Sequence, residues 1–105
     1  MSETHLQTRI RRAILQHFPG SWMVKIHGGP MQAAGIPDLI GCVEGRFVAL
    51  EVKLPGGKHP VSPLQTQVLR QIKRAGGVAR VVTSEEDALS ILSESYAPSQ
   101  VAQTR

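Results

Sequence analysis

The residues of this chain whose types and spacing could do chemistry are two carboxylates and one ammonium group. Asp38 directly follows Pro37, while Glu51 and Lys53 are separated by one residue at the end of an apolar run. Carboxylate oxygens are the ligands that hard divalent cations choose. If the two segments form adjacent strands, the set is suited to hold a divalent cation beside a phosphodiester.

A short hairpin between these segments would bring the carboxylates face to face. Glu44-Gly45 is turn-like and separates β-forming runs at 39–43 and 46–53. With a two-residue loop, counting outward from the turn places Asp38 opposite Glu51. Opposed residues share a face with Cβ atoms roughly 4.5–5.5 Å apart, so two like charges repel there unless a cation or a proton lies between them.

The residues that follow Glu51 complete the predicted site. Lys53 lies two positions further and therefore on the same face, whereas the side chain of Val52 points into the core. The backbone carbonyl of Val52 lies near the pair and is a candidate third oxygen ligand. Each charged residue alone is also common on a solvated strand. The joint pattern is stronger, because a buried carboxylate within an apolar run is costly without a partner.

Hydrophobic periodicity and turn signals place this hairpin in an α/β fold. The predicted order is helix, three strands, helix, strand, helix. The elements are a helix capped by Ser2, strands at 22–27, 39–43 and 46–53, a helix between Ser62 and Gly76-Gly77, a strand at 78–83 and a helix capped by Ser84, with loops at 28–35 and 54–61. The strand-helix-strand step requires a parallel pair, so a mixed sheet flanked by helices follows.

The helix that begins at Ser62 has the clearest start, with an N-cap serine, a proline at its first position and Gln65 at its third. Its predicted apolar stripe is Leu64, Val68, Ile72 and Ala75. Three basic residues on its surface are candidates for phosphate contacts, although such clusters are more often a solvated helix face; they are Arg70, Lys73 and Arg74. The strand at 78–83 is nearly all apolar, which predicts burial on both faces.

Composition narrows the partners and the compartment. Twelve Lys and Arg against eight Asp and Glu give a formal charge of +4, which favours a polyanionic partner. Cys42 is the only cysteine, which excludes an intrachain disulfide and fits a reducing cytoplasm. No signal peptide or membrane span is recognisable in the sequence. We expect one domain over residues 1–96 and a disordered tail at 97–105.

A proline-aspartate followed by a strand ending in Glu-x-Lys, in this element order, resembles the PD-(D/E)xK nuclease superfamily. The closer likeness is to its VRR-NUC group, the virus-type replication-repair nucleases. The stretches that carry it are 36–41, 45–53, 62–65 and 75–79. The resemblance implies the restriction-endonuclease-like fold, an αβββαβ core with a mixed four-stranded sheet flanked by helices, plus a C-terminal helix.

The resemblance also implies roles for the candidate residues. Asp38, Glu51 and the carbonyl of Val52 would bind Mg²⁺ or Mn²⁺, and Lys53 would position the attacking water and offset developing negative charge. Gln65 matches a glutamine that such nucleases use near the site.

Two of the implied roles have competing interpretations. Gln65 is also the third-position partner of Ser62 in a capping box, and both interpretations remain open. Glu3 is a possible further acidic ligand from the first helix, but it lies near the chain terminus, where fraying weakens that interpretation.

The activity implied by the resemblance is that of a metal-dependent DNA endonuclease. Stand-alone members of the group are similar to Holliday junction resolvases, so the expected substrate is branched DNA, and the expected assembly is a homodimer matching a two-fold symmetric junction. The expected compartment is the cytoplasm of a bacterium, or of a host cell if the protein is viral. The alternatives are a non-catalytic nucleic-acid-binding module on the same fold and a sequence-specific restriction-type endonuclease.

Overall fold

A computed structural model describes residues 1–57 and 60–95 as one mixed sheet with helices on both faces. The strand order is β1-β2-β3-β4, antiparallel between the first three strands and parallel between β3 and β4. The elements are α1 (Glu3–His17), β1 (Trp22–Lys25), α2 (Pro30–Ala33), β2 (Leu39–Val43), β3 (Arg46–Val52), α3 (Pro63–Arg74), β4 (Val78–Val82) and α4 (Glu85–Ser95). This is the predicted α/β order with one added helix, α2. The predicted tail at 97–105 and the boundary at 96 lie outside the described residues.

The β2–β3 hairpin has the predicted two-residue turn. Glu44 and Gly45 adopt positive φ angles of 51° and 80°, as both central residues of a type I′ turn do. The ladder then runs outward from the pair Val43 and Arg46 to the pair Leu39 and Leu50. The register used to align the two carboxylates is therefore confirmed.

The two sheet faces carry cores of different size. The larger core packs alternate β3 residues, among them Leu50 and Val52, against α1 and α4. The smaller core lies beneath α3, where Ala49 contacts Leu69 and Ala79. Since Glu51 alternates with Leu50 and Val52, its side chain lies on the α3 face of the sheet.

The start of α3 matches the prediction, whereas its buried stripe does not. Ser62 and Gln65 form the capping box and Pro63 occupies the first turn. Leu69 is the buried residue of the helix, while Leu64 and Ala75, which were assigned to the stripe, are exposed. The reason is that the apolar contact between α3 and the sheet is centred on Ala49 and Ala79, so one narrow strip of the helix is covered.

Three other expectations need correction. β4 is an edge strand, so Arg80 and Val81 are exposed and the strand is not buried on both faces. In β1, the alternation of Trp22, Val24 and Ile26 with Met23, Lys25 and His27 favours burial of the tryptophan face, yet Met23 is buried and Trp22 is 61% exposed, because helical cover lies mainly on the α1 side. The segment 28–35 contains the one-turn helix α2 instead of loop alone. Within residues 1–57 and 60–95, no helix is long and apolar enough to cross a membrane.

Candidate active site

Asp38 and Glu51 lie side by side at the open end of the central hairpin. The β2–β3 ladder ends at Leu39 and Leu50, and the two acids occupy the next pair of positions. Asp38 is 6% exposed and Glu51 is 2% exposed. Two carboxyl groups are thus held together away from bulk water, where a charge without a partner is costly.

Backbone and side-chain donors hold Asp38 in place. Its Oδ2 accepts a hydrogen bond of 2.8 Å from the backbone N–H of Val52. Its Oδ1 accepts a hydrogen bond of 3.1 Å from Nε2 of Gln32 in α2. The Ile26 N–H donates to the Asp38 backbone carbonyl at 2.8 Å, which ties the residue to the end of β1. The carboxylate is therefore held by β3 and α2, and the backbone of Asp38 by the end of β1.

Only one of the two oxygens of the Glu51 carboxyl group has partners. Its Oε2 accepts a hydrogen bond of 2.9 Å from Nε2 of Gln65 and lies 3.5 Å from Nζ of Lys53. Its Oε1 is buried and has no hydrogen-bond partner among the described residues. Buried polar atoms are nearly always paired, so this oxygen calls for a proton or a cation.

The pKa values of both carboxyl groups are raised. Burial, and next the charge of Asp38, raise the pKa of Glu51 to about 7, against the opposing pull of the Lys53 ammonium. Burial also raises the pKa of Asp38, opposed by the hydrogen bond from Val52. The two carboxyl groups are close enough to hydrogen-bond when one is protonated. A pair that shares a proton near neutral pH offers the place that a cation would take.

Gln65 forms the predicted capping box and also contacts Glu51. Its Oε1 accepts the Ser62 N–H at 2.9 Å, and its own N–H donates to Oγ of Ser62 at 3.1 Å. A backbone N–H can only donate, so the amide atom that faces it must be the oxygen. The NH₂ group is thereby turned toward Glu51. The helix cap orients a donor onto the carboxylate pair.

Two further candidate ligands are near the pair. The N–H and C=O of a strand residue point toward the same neighbouring strand, so the Val52 carbonyl lies on the side of Asp38. Glu3 is partly buried at the start of α1, and its charge contributes to raising the pKa of Asp38.

The donor set fits a hard divalent cation. Across residues 1–57 and 60–95, no group of three or more His, Cys, Asp or Glu side chains is assembled to hold a metal. Glu3 is thus an electrostatic neighbour and not part of a ready three-carboxylate cluster. Mg²⁺ commonly binds through one or two carboxylates and keeps several waters, so Asp38, Glu51 and a backbone carbonyl are a sufficient protein contribution.

Gln32 was not predicted as a site residue. It lies in a segment rich in glycine, and only its hydrogen bond to Asp38 places it at the site. Pro30 is the first residue of α2, and a proline at that position is a helix-start signal that could have located the helix.

The basic candidates divide between two surfaces. Arg70 and Lys73 line an open cleft of ≈ 370 Å³ between α3 and β4, together with Arg80. Arg74 is exposed on α3 and does not line this cleft. Arg80 was missed because its strand was interpreted as fully buried.

Comparisons with known proteins agree with this architecture. No protein-family model matches the sequence, and no curated protein matches it. A solved "VRR_NUC domain" is similar over 85% of this chain and 96% of its own, with 22% identity and a TM-score of 0.62. A solved "VRR_NUC domain protein" is similar over 90% of this chain and 87% of its own, with 18% identity and a TM-score of 0.61. The chain therefore has the restriction-endonuclease-like fold of VRR_NUC domains, as its motifs led us to expect.

Proposed function

We propose that this chain is a nuclease domain that hydrolyses phosphodiester bonds of DNA with Mg²⁺ or Mn²⁺. One observation carries the proposal, the buried and unpartnered Oε1 of Glu51 beside Asp38. If the pair had only a structural role, both oxygens of Glu51 would be expected to have hydrogen-bond partners. The fold likeness to VRR_NUC domains supports the same class of activity.

The proposed division of labour follows from the contacts. Asp38, Glu51 and the Val52 carbonyl would hold the metal, which when bound lowers the pKa of water and polarises a phosphoryl oxygen. Lys53, with a side chain 17% exposed and Nζ 3.5 Å from Glu51, would orient the attacking water and offset negative charge that develops on the phosphate. Gln65 would hold Glu51 in its rotamer.

We further propose that the substrate is branched DNA, as for a Holliday junction resolvase, and that the active form is a homodimer. The formal charge of +4 suits a phosphate backbone. Basic side chains that meet phosphates carry no sequence information, which favours recognition of DNA shape. A two-fold symmetric junction is matched by a symmetric pair of sites.

The decisive experiment incubates the purified protein with labelled four-way junction, flap and linear duplex, each with Mg²⁺, Mn²⁺ or chelator. We expect metal-dependent cutting, strongest on the junction, and a dimer by light scattering at micromolar concentration. Cutting of none of the three would contradict the enzyme proposal, and binding without cutting would favour a nucleic-acid-binding module. Site-specific cutting of linear duplex would favour a restriction-type enzyme.

The test variant is Lys53→Ala. Its control is Arg12→Ala, at an exposed position of α1. Loss of a preorganised charged donor lowers cleavage by about 10²–10³. DNA binding and the circular dichroism spectrum should be retained in both variants. Cleavage by Lys53→Ala at the rate of Arg12→Ala would remove the lysine from the mechanism.

A further inference from the structure

We propose that a polar cleft beside the carboxylate pair binds a backbone phosphate next to the one that is cleaved. The cleft measures ≈ 170 Å³ and lies between the start of α1, the end of β1 and α2. Its polar side chains come from all three regions, and Gly28 leaves one wall open; these side chains are Thr4, Gln7, Lys25, His27 and Gln32.

Gln7 is the observation that indicates a ligand. It is 9% exposed and belongs to the buried face of α1, yet it lines the cleft. Its side-chain amide makes no hydrogen bond among the described residues. The amide is not among the fully buried unpaired polar atoms of the described residues, so the small exposed part of this side chain includes its amide, which is open to the cleft. The amide is placed to bond whatever enters.

Gln32 connects the cleft to the carboxylates. Its Nε2 donates one hydrogen to Oδ1 of Asp38 at 3.1 Å, and its side chain also lines the cleft. A primary amide has a second N–H to offer. Because Gln32 both bonds Asp38 and lines the cleft, a DNA strand whose phosphate meets Asp38 has its neighbouring phosphate at the cleft.

The chemistry of the lining is that of an anion site. Lys25 supplies a cation, and its Nζ already donates to Oγ1 of Thr8 at 3.1 Å, which holds the side chain along α1. Amide, hydroxyl and imidazole groups supply further donors. The opposing charges are Asp38 itself and Glu3, which lies one helical turn before Gln7.

The identity of the ligand rests on the proposed nuclease function, so the test measures binding and not cleavage. The full chain, labelled with ¹⁵N and kept in chelator, is titrated with inorganic phosphate and separately with a short duplex. We expect the side-chain amide signals of Gln7 and Gln32 to shift, and those of the exposed Gln16 and Gln67 to stay in place. Unmoved Gln7 and Gln32 signals in a duplex-bound spectrum would overturn the proposal.

The two failures can be told apart. If the duplex leaves the whole spectrum unchanged in chelator, the cleavage assay with Mg²⁺ or Mn²⁺ decides on the proposed nuclease function. The inorganic phosphate titration then decides on the cleft alone, and an unmoved Gln7 signal at saturating phosphate would overturn it.

Variants separate the hydrogen bond from the charge. Gln7→Leu should weaken duplex binding about tenfold, the effect of one lost hydrogen bond to a charged group, without changing its salt dependence. Gln16→Leu on the exposed face of α1 is the matched control. Lys25→Met should lower the slope of log affinity against log salt by about 0.9, and Glu3→Gln should strengthen binding. Equal affinities for Gln7→Leu and Gln16→Leu would overturn the proposal.

Discussion

Burial, and next the charge of Asp38, raise the pKa of Glu51 to about 7 in the metal-free protein. In the unfolded chain the same group titrates at its ordinary value of 4.5. The folded state therefore binds the proton more tightly. The contribution to stability is fully present below pH 4.5 and is lost as the pH rises to about 7.

Replacing Glu51 by glutamine should remove this loss of stability with rising pH, because glutamine does not titrate. Glu51→Gln is expected to be more stable than the natural protein above pH 7, by at most about 3 kcal/mol, and similar to it at pH 4.5. The measurement is the urea midpoint in chelator at several pH values. Because Asp38 and Glu51 each shift the pKa of the other, the difference between the two proteins reports the titration of the pair.

Glu86→Gln, at an exposed position of α4, is the control and should show no such pH-dependent gain. Addition of Mg²⁺ at high pH should raise the urea midpoint of the natural protein more than that of Glu51→Gln. A constant difference between Glu51→Gln and the natural protein across the pH range would contradict the assignment of the raised pKa to Glu51.

At the scale of elements, the start of α3 joins a structural role to a chemical one. Ser62→Ala removes the acceptor for the Gln65 N–H and should cost about 1 kcal/mol. Gln65→Glu keeps an acceptor for the Ser62 N–H but turns a second carboxylate oxygen toward Glu51. We therefore expect Gln65→Glu to lower cleavage strongly through repulsion, and Ser62→Ala to lower stability more than cleavage.

Ser84→Ala provides the comparison for the cap alone. Ser84 accepts the Asp87 N–H at the start of α4, away from the carboxylate pair. Thermal unfolding should show similar stability losses for Ser62→Ala and Ser84→Ala. Cleavage rates are measured for both variants under the same conditions. A cleavage loss for Gln65→Glu no larger than that of Ser84→Ala would mean that Gln65 acts only as a cap.

The contact between Gly35 and α3 also acts at this scale. Gly35 has a φ of 83°, and a Cβ there would lie 2.9 Å from Cγ and 3.1 Å from the carbonyl oxygen of Leu64. Gly20 has a similar φ of 91° but no atom within 4 Å of a Cβ. Gly20→Ala should therefore cost about 1 kcal/mol from backbone strain alone, and Gly35→Ala should cost more.

Equilibrium unfolding of both variants measures this difference. Because Leu64 belongs to the first turn of α3, Gly35→Ala should also displace Gln65 and lower cleavage, whereas Gly20→Ala should not. Equal stability losses at the two glycines would show that α3 moves freely away from residue 35.

The sequence predicted the carboxylate pair because everything needed is local. A two-residue turn sets the register, and the register places Asp38 beside Glu51. Gln32 and Leu69 could not be found in this way, since their roles depend on how α2 and α3 are placed over the sheet. Alternation likewise indicates that β1 has two unlike faces, but which face is buried is decided by the helices that cover it.

At the scale of the whole molecule, the flanks of α3 differ in charge. Arg70 and Lys73 face the β4 edge, where Arg80 is also exposed. On the other flank, Leu64 contacts Gly35, and the adjoining sheet surface carries a cross-strand row of uncharged residues formed by Trp22, Cys42 and Phe47. We therefore expect a DNA that spans the carboxylate pair to place backbone phosphates along the β4 side as well as at the cleft beside β1.

Salt dependence of duplex binding tests this direction of approach. Each lost contact between a cation and a phosphate lowers the slope of log affinity against log salt by about 0.9. Arg70→Ala and Lys73→Ala should each show that decrease. Arg74 lies on the same helix but outside the cleft between α3 and β4, so Arg74→Ala should show a smaller decrease. Equal slopes for the three variants would mean that the helix attracts DNA by its total charge alone. A decrease confined to the cleft residues would instead place the backbone between α3 and β4, in line with the position of Glu51 beside Val81 of the edge strand.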